Sequence, residues 1–205
     1  VCYDIFNSFM NKLSAKSLGT RLSVIIVFSS IITFSFFIVN SYNNQINSSQ
    51  ENVLEKLHAI TKTISIELDA EKHEKLTNTY LKKNALKHSE DDEGYLELHN
   101  LLKKVQKQNN IKSDIYTLFI DKNDNLSFAV TSGVTPYYRH IYDSAPKEIK
   151  DNFKTGGYAG PYKDEHGVWL SAFSPIKNNK GETIAIVQVD QMFNVFISKA
   201  RKKTS

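Results

Sequence analysis

Residues 160–176, GPYKDEHGVWLSAFSPI, and residues 183–190, TIAIVQVD, decide the fold that the sequence predicts. Residues 168–174 and 183–190 are rich in β-branched and aromatic side chains, which favour strands. The Asn-Asn-Lys-Gly sequence at 178–181 lies between them and is typical of a tight turn. The two pieces therefore form a β-hairpin, with one possible edge strand near residues 158–162.

A second hairpin precedes this one in the chain. Residues 115–120, IYTLFI, and residues 126–131, LSFAVT, have strand-forming compositions, and the polar sequence DKNDN at 121–125 forms the turn. Two hairpins in one domain predict an antiparallel sheet.

Helical patterns surround the strands. Residues 95–109 carry an apolar stripe at helical spacing, residues 146–153 form a short helix that begins with proline, and residues 191–203 are also helical. The predicted class is α+β: a PAS-like antiparallel sheet flanked by helices, after a long N-terminal helix.

Residues 22–39 form an uncharged run of eighteen residues near the N-terminus. As a helix this run spans roughly 27 Å, which is enough to cross the hydrocarbon core of a bilayer. The alternative is a cleaved signal peptide. The run exceeds the usual apolar length of about 7 to 15 residues, and residues 39–43 offer no small-x-small cleavage site, so an uncleaved anchor is favoured.

The charges beside this run predict its orientation. Lys12, Lys16 and Arg21 precede it, with only Asp4 opposing them. By the positive-inside bias, residues 1–21 are cytoplasmic and the chain beyond residue 40 lies outside. The predicted location is the inner (cytoplasmic) membrane, with one or two spans and the main domain in the periplasm or outside the cell.

Residues 40–110 are predicted to be one long helix followed by a helical segment. The long helix carries a heptad-like stripe, which is either the seam of a homodimer or a face that packs on its own domain. Residues 69–93 are mostly polar, and the His and carboxylate cluster at 88–93 indicates an acidic loop more readily than a divalent-cation site. The stripe consists of Ile46, Gln50, Val53, Leu57, Ile60 and Ile64.

Composition excludes several classes of function. The 205 residues suit one domain plus an accessory segment, and a net charge of +4 from 26 basic and 22 acidic side chains gives no cationic face for nucleic acid. Cys2 is the only cysteine, so the body of the chain has no disulfide or thiolate metal site. No hydrolase elbow, zinc-protease motif or phosphate loop is present, and we predict no enzyme activity, metal or cofactor.

The sequence 160–176, followed by Gly181 and by Val-Gln-Val-Asp at 187–190, resembles the final strands of Cache domains. The resemblance covers residues 111–192 as the sensor core. It implies an extracytoplasmic sensor of a chemoreceptor, a histidine kinase or a cyclic-nucleotide enzyme, which passes small-molecule occupancy to a cytoplasmic output through helices. Residues 193–205 then form a C-terminal helix that leads toward a second membrane helix or an output domain.

The loop at 137–142, YYRHIY, is similar to the Arg-x-Trp-Tyr loop of amino-acid-binding Cache domains, although Ile141 stands in the place of the Trp. The resemblance implies that Arg139 and Tyr142 hold a ligand carboxylate and that Asp190 binds an ammonium group. The predicted ligand-binding residues are Tyr137, Tyr138, Arg139, His140, Tyr142, Tyr158, Tyr162, Trp169 and Asp190.

The residues alone support the same chemistry, because a guanidinium suits a carboxylate, tyrosines form walls with a polar tip and His140 titrates near neutral pH. Alternatives stay open: ordinary packing for the loop tyrosines and Trp169, a surface ion pair for Arg139, and for Asp190 the cap of a helix that begins at Gln191. For the whole chain, a membrane-anchored structural or assembly protein and an extracytoplasmic enzyme are the competing functions.

Overall fold

The computed structural model describes residues 17–164 and 166–193. Most of the predicted cytoplasmic segment, and the predicted C-terminal helix beyond residue 193, lie outside the described residues. The chain divides into two compact units, one up to Ser48 and one from Ser49 onward. The helices are α1 (Leu18–Glu67), α2 (Ala70–Thr79), a 3-10 turn (Ser89–Asp91), α3 (Glu93–Gln108) and α4 (Lys147–Asp151).

The first unit is the N-terminal part of α1. This helix is long and apolar enough to cross a membrane, and its most apolar window is not buried within the protein. Its hydroxyl side chains donate back to carbonyls of the preceding turn: Ser30 Oγ lies 2.8 Å from the Ile26 carbonyl oxygen, and Thr33 Oγ1 lies 2.8 Å from that of Ser29. These bonds satisfy the hydroxyls without a partner outside the helix.

The second unit contains a five-stranded antiparallel sheet in the order β2-β1-β5-β4-β3. Both predicted hairpins are present, β1 with β2 and β4 with β5, and the predicted edge strand is β3. The α+β class is therefore confirmed. The strands are β1 (Ile115–Ile120), β2 (Leu126–Thr131), β3 (Gly157–Asp164), β4 (Gly167–Lys177) and β5 (Thr183–Met192).

One face of the sheet is covered by helices. Leu57, Ile60 and Ile64 of α1 are buried there with apolar side chains of α2, α3 and the strands. This half of the heptad-like stripe therefore packs on its own domain, which was one of the two interpretations of the stripe. A homodimer seam formed by the preceding residues of α1 stays a prediction.

One helix was not predicted separately. Helix α2 lies in residues 69–93, which the sequence marks only as mostly polar within the predicted helical segment 40–110; Asp69 caps its N-terminus by accepting from the Lys72 amide at 3.0 Å, while the helix contributes only His73 and Leu76 to the core. So few buried residues leave a weak helical period. The predicted start of a helix at Gln191 was wrong, because β5 continues to Met192, which pairs with Trp169.

Candidate functional site

A cavity of about 700 Å³ opens on the face of the sheet that the helices α2 and α3 leave uncovered. The strands β1, β2, β4 and β5 supply its floor, and the segment between β2 and α4 supplies one wall. Its lining consists of Lys112, Ser113, Asp114, Tyr116, Phe128, Tyr137, Ile141, Tyr142, Asp143, Ser144, Asp164, His166, Trp169 and Asp190.

Asp190 lies at the base of this cavity and is only 9% exposed. It is a strand residue, directly opposite Ser171 in the β4–β5 register, and not a helix cap. Its carboxylate accepts from the hydroxyl of Ser171, from Tyr116 Oη at 2.6 Å and from Gln188 Nε2 at 2.9 Å. Burial raises the pKa of Asp190, and the three donors act in the opposite direction.

Three tyrosines extend this network across the cavity face. Tyr162 Oη lies 2.8 Å from Ser171 Oγ and 3.1 Å from Tyr142 Oη. Because Ser171 gives its single proton to Asp190, Tyr162 donates to Ser171 and Tyr142 donates to Tyr162. Burial raises the pKa of Tyr116, Tyr142 and Tyr162, so all three hydroxyls stay protonated donors at neutral pH.

The charged side chains of the lining are mostly acidic. Asp114, Asp143 and Asp164 join Asp190, and Lys112 is the one lysine or arginine among the lining residues that the structure describes. The carboxylate of Asp164 also orients the indole of Trp169, whose Nε1 donates to it at 2.9 Å. The cavity is therefore an electronegative space with aromatic walls.

The loop 137–142 places its residues on two sides. Tyr137 and Tyr142 line the cavity, and the Tyr137 ring stacks on His140 at a centroid distance of 3.8 Å. Tyr138 is completely buried, and Arg139 donates through Nε to the Tyr80 carbonyl at 2.6 Å. Neither Tyr138 nor Arg139 lines the cavity.

Two other predicted residues also lie elsewhere. His140 Nε2 is 2.6 Å from Asn84 Oδ1, and the ring of Tyr158 packs edge-on against His58 at 4.9 Å. The structure brings five of the nine predicted residues together. Tyr137, Tyr142, Trp169 and Asp190 line the cavity, and Tyr162 joins them through the hydrogen bond of its hydroxyl to Tyr142. It does not bring Tyr138, Arg139, His140 or Tyr158 to the cavity.

Sequence reasoning missed several residues of the site. Tyr116, Ser171 and Gln188 form its hydrogen-bonded base, and Phe128 packs against Tyr116 with ring centroids 5.0 Å apart. A signal was present: Gln188 and Asp190 are two residues apart in an otherwise apolar strand, so both point to one face. No group of three or more potential metal ligands occurs within residues 17–164 and 166–193.

Comparisons with known proteins agree with this architecture. The sensor domain of the V. cholerae histidine kinase DctB superposes with a TM-score of 0.52 at 12% identity, over 78% of this chain and 57% of that one. The E. coli DcuS sensor domain gives 0.49 at 11% identity, over 75% and 98%. The sensory domain of the Campylobacter jejuni chemoreceptor Tlp3 with isoleucine bound gives 0.48 at 14% identity, over 82% and 65%.

No protein-family model and no curated protein matches the sequence. At such low identity the structural likeness shows the fold, and the DctB match carries it. In sequence, this domain follows one helix that is long and apolar enough to cross a membrane. This chain has the fold of the Cache-type, PAS-like extracytoplasmic sensor domains.

Proposed function

We propose that this chain is the ligand-binding, extracytoplasmic part of a signal-transduction protein of the inner membrane, and that its ligand carries a positively charged amine. The output is that of a chemoreceptor, a histidine kinase or a cyclic-nucleotide enzyme. One observation carries the proposal: the buried carboxylate of Asp190 lies at the base of an electronegative cavity of about 700 Å³.

The charge balance of the lining favours an amine over a carboxylate. A carboxylate ligand needs a cationic partner, and the guanidinium of Arg139 is already held by the backbone carbonyls of Thr77 and Tyr80. An ammonium group instead meets Asp190, whose acceptors lie where water is largely excluded. Lys112 can supply a second contact at the rim for a ligand that also carries an anionic group.

The walls of the cavity suit a cation as well. Tyr116, Phe128, Tyr142 and Trp169 all contribute aromatic rings to it. Aromatic faces attract ammonium groups within about 6 Å of the ring centroid, by about 0.5 to 2 kcal/mol depending on solvation. A small aliphatic amine therefore gains contacts from its charge and from its carbon chain.

Signalling requires a second property. A ligand shifts a receptor between two states only by its difference in affinity for them, so one state must hold the amine more tightly. The cavity wall formed by loop 137–142 is the candidate element for such closure. A homodimer through the membrane-proximal part of α1 is the expected assembly for passing the change to the cytoplasm.

The test is isothermal titration of the full chain in lipid nanodiscs with propylamine, 1,4-diaminobutane, alanine and succinate. We expect the two amines to bind and succinate to give no heat of binding. Asp190→Asn should weaken amine binding at least about tenfold, because removing a desolvated charge partner costs more than about 1.4 kcal/mol. Asp151→Asn, at an exposed carboxylate of α4 outside the cavity, is the matched control.

Two results would contradict the proposal. Binding of succinate without the amines would make the site a carboxylate site. An absence of binding by all four compounds, with Asp190→Asn unchanged in every titration, would favour a membrane-anchored assembly protein.

A further inference from the structure

The segment between β2 and α4 faces two different parts of the domain with adjacent residues. Tyr137, Ile141 and Tyr142 line the cavity, whereas Tyr138 and Arg139 between them contact the C-terminal end of α2. The cavity wall and the end of this helix therefore share one short piece of backbone.

The contacts with α2 are specific hydrogen bonds. Arg139 donates through Nε to the Tyr80 carbonyl at 2.6 Å and through its second terminal nitrogen to the Thr77 carbonyl at 2.5 Å. The Tyr138 hydroxyl lies 3.2 Å from the Leu76 carbonyl and 3.0 Å from that of Tyr80. The last carbonyls of a helix lack intrahelical donors, and a cation there also complements the helix dipole.

The loop backbone is strained where it makes these contacts. Tyr137 and Arg139 adopt φ values of 53° and 57°, in the left-handed region. Each such residue costs about 1 to 2 kcal/mol unless it is glycine. The conformation therefore requires contacts that hold it in place. Helix α2 provides some of them, because its carbonyls accept hydrogen bonds from the side chains of Tyr138 and Arg139.

Backbone hydrogen bonds hold the same loop from two further directions. The Asn84 amide, in the turn after α2, donates to the Tyr138 carbonyl at 3.0 Å. On the other side, the Arg139 amide donates to the Phe128 carbonyl of β2 at 2.8 Å. The loop is thus fixed between the end of α2 and a strand that forms the cavity floor.

We propose that Tyr138 and Arg139 form a latch that couples the cavity wall to the last turn of α2. Arg139 is then a positioning residue: it does not touch the ligand, and it holds Tyr137 and Tyr142 in place. Opening the latch releases the wall and the helix end together. This inference concerns the ligand-free chain, so it stands or falls independently of the amine proposed above.

The test is amide hydrogen exchange of the full chain in lipid nanodiscs, read by mass spectrometry. Arg139→Gly removes the side-chain bonds while glycine accepts the positive φ, so the loop itself is not strained further. We expect exchange to accelerate by about tenfold or more in residues 76–80 and in residues 137–142 together, because hydrogen bonds from a charged donor are among the strong ones. Arg139→Lys, which keeps the charge but loses the planar fork, should give a smaller acceleration in the same two segments.

A matched control separates the latch from general destabilisation. Leu102→Ala empties part of the core at a completely buried position of α3 that makes no side-chain hydrogen bond to the loop, and it should lower the free energy of unfolding without selectively opening these two segments. Trp169, the only tryptophan, gives a second measurement, because its quenching by acrylamide reports access to the cavity. We expect greater quenching in Arg139→Gly than in Leu102→Ala.

The latch is overturned by either of two results. Acceleration confined to residues 76–80 would show that Arg139 only caps α2. Equal acceleration of both segments in Leu102→Ala would show that they open through general loss of stability.

Discussion

The two faces of the sheet are built differently, and the C-terminal half of β5 shows the contrast residue by residue. Val187 and Val189 are completely buried against the helical side, together with Ala185. Gln188 and Asp190 alternate with them and belong to the cavity side, where they hydrogen-bond each other and Tyr116. One strand thus supplies an apolar core and a polar site at once.

The contrast shows that the helical face is mainly apolar, whereas the cavity face combines an apolar cluster with a polar network. On the helical face, apolar side chains from α1, α2 and α3 fill the space, and burial of apolar area is the main stabilising term. On the cavity face, a second apolar cluster that includes Leu118, Phe173 and Ile186 lies beside the polar network of Asp190. The side-chain amide oxygen of Gln188 is buried there without a partner among the described residues. Changes on the helical face should therefore affect folding, and changes in the polar network should affect the proposed binding more than folding.

The largest expected effect comes from breaking the apolar face. Ile115→Ala, at a completely buried position of β1, should lower the free energy of unfolding by about 2 to 5 kcal/mol because it leaves a cavity. The matched change at the next residue is Tyr116→Phe, on the other face. It removes two hydrogen bonds, the one that the hydroxyl donates to Asp190 and the one that it accepts from Gln188 Nε2, and should cost about 1 to 2 kcal/mol. Urea unfolding followed by circular dichroism measures both.

The ratio between these neighbours is the informative quantity. Equal losses of unfolding free energy for Ile115→Ala and Tyr116→Phe would contradict this difference between the two faces, because the cavity network would then stabilise the fold as much as the core does.

A somewhat smaller effect should follow from acidification, and it also belongs to the helical face. His73 of α2 is completely buried, with Nε2 2.8 Å from Thr117 Oγ1 and with Nδ1 lacking a partner among the described residues. Burial lowers the pKa of His73 to about 4 from its usual 6.5. His73 therefore takes up a proton below pH 6.5 in the unfolded chain but only below about pH 4 in the folded chain.

The neutral, buried form of His73 therefore contributes fully to the free energy of unfolding above pH 6.5, and this contribution is lost as the pH falls toward 4. The difference between these pKa values corresponds to about 3 kcal/mol. Urea unfolding at pH 7 and pH 4 should show that His73→Gln loses less stability on acidification than the parent chain, by up to this amount. His88→Gln, at an exposed position, is the control, and an identical acid response in all three proteins would refute the role of His73.

The sequence predicted the sheet better than the site, for a physical reason. Strand pairing depends on local composition and short turns, so both hairpins were found, whereas α2 was missed because only His73 and Leu76 mark its buried side. The site depends on register: Ser171 meets Asp190 only when β4 and β5 are aligned. The side of the loop on which Arg139 points depends on its left-handed backbone, and no pattern of residue types in one sequence specifies that.

The smallest expected effect concerns the electronegative character of the cavity face. The fluorescence of Trp169 can be quenched by caesium ions or by iodide, and the negative potential of the lining should concentrate the cation and exclude the anion. At pH 7 we expect the ratio of the caesium to the iodide quenching constant to be about twofold higher in the parent chain than in Asp190→Asn, a modest change because salt screens the charges.

The pH dependence of this ratio isolates Asp190. Burial raises the pKa of its carboxyl, so it takes up a proton at a higher pH than an ordinary aspartate does. The preference for caesium should therefore begin to fall during mild acidification of the parent chain, while Asp190→Asn should lack this early step. A preference for iodide at neutral pH would instead show that the positive charge of Lys112 dominates the potential in the cavity. The helical and cavity faces would then differ in packing and not in negative charge.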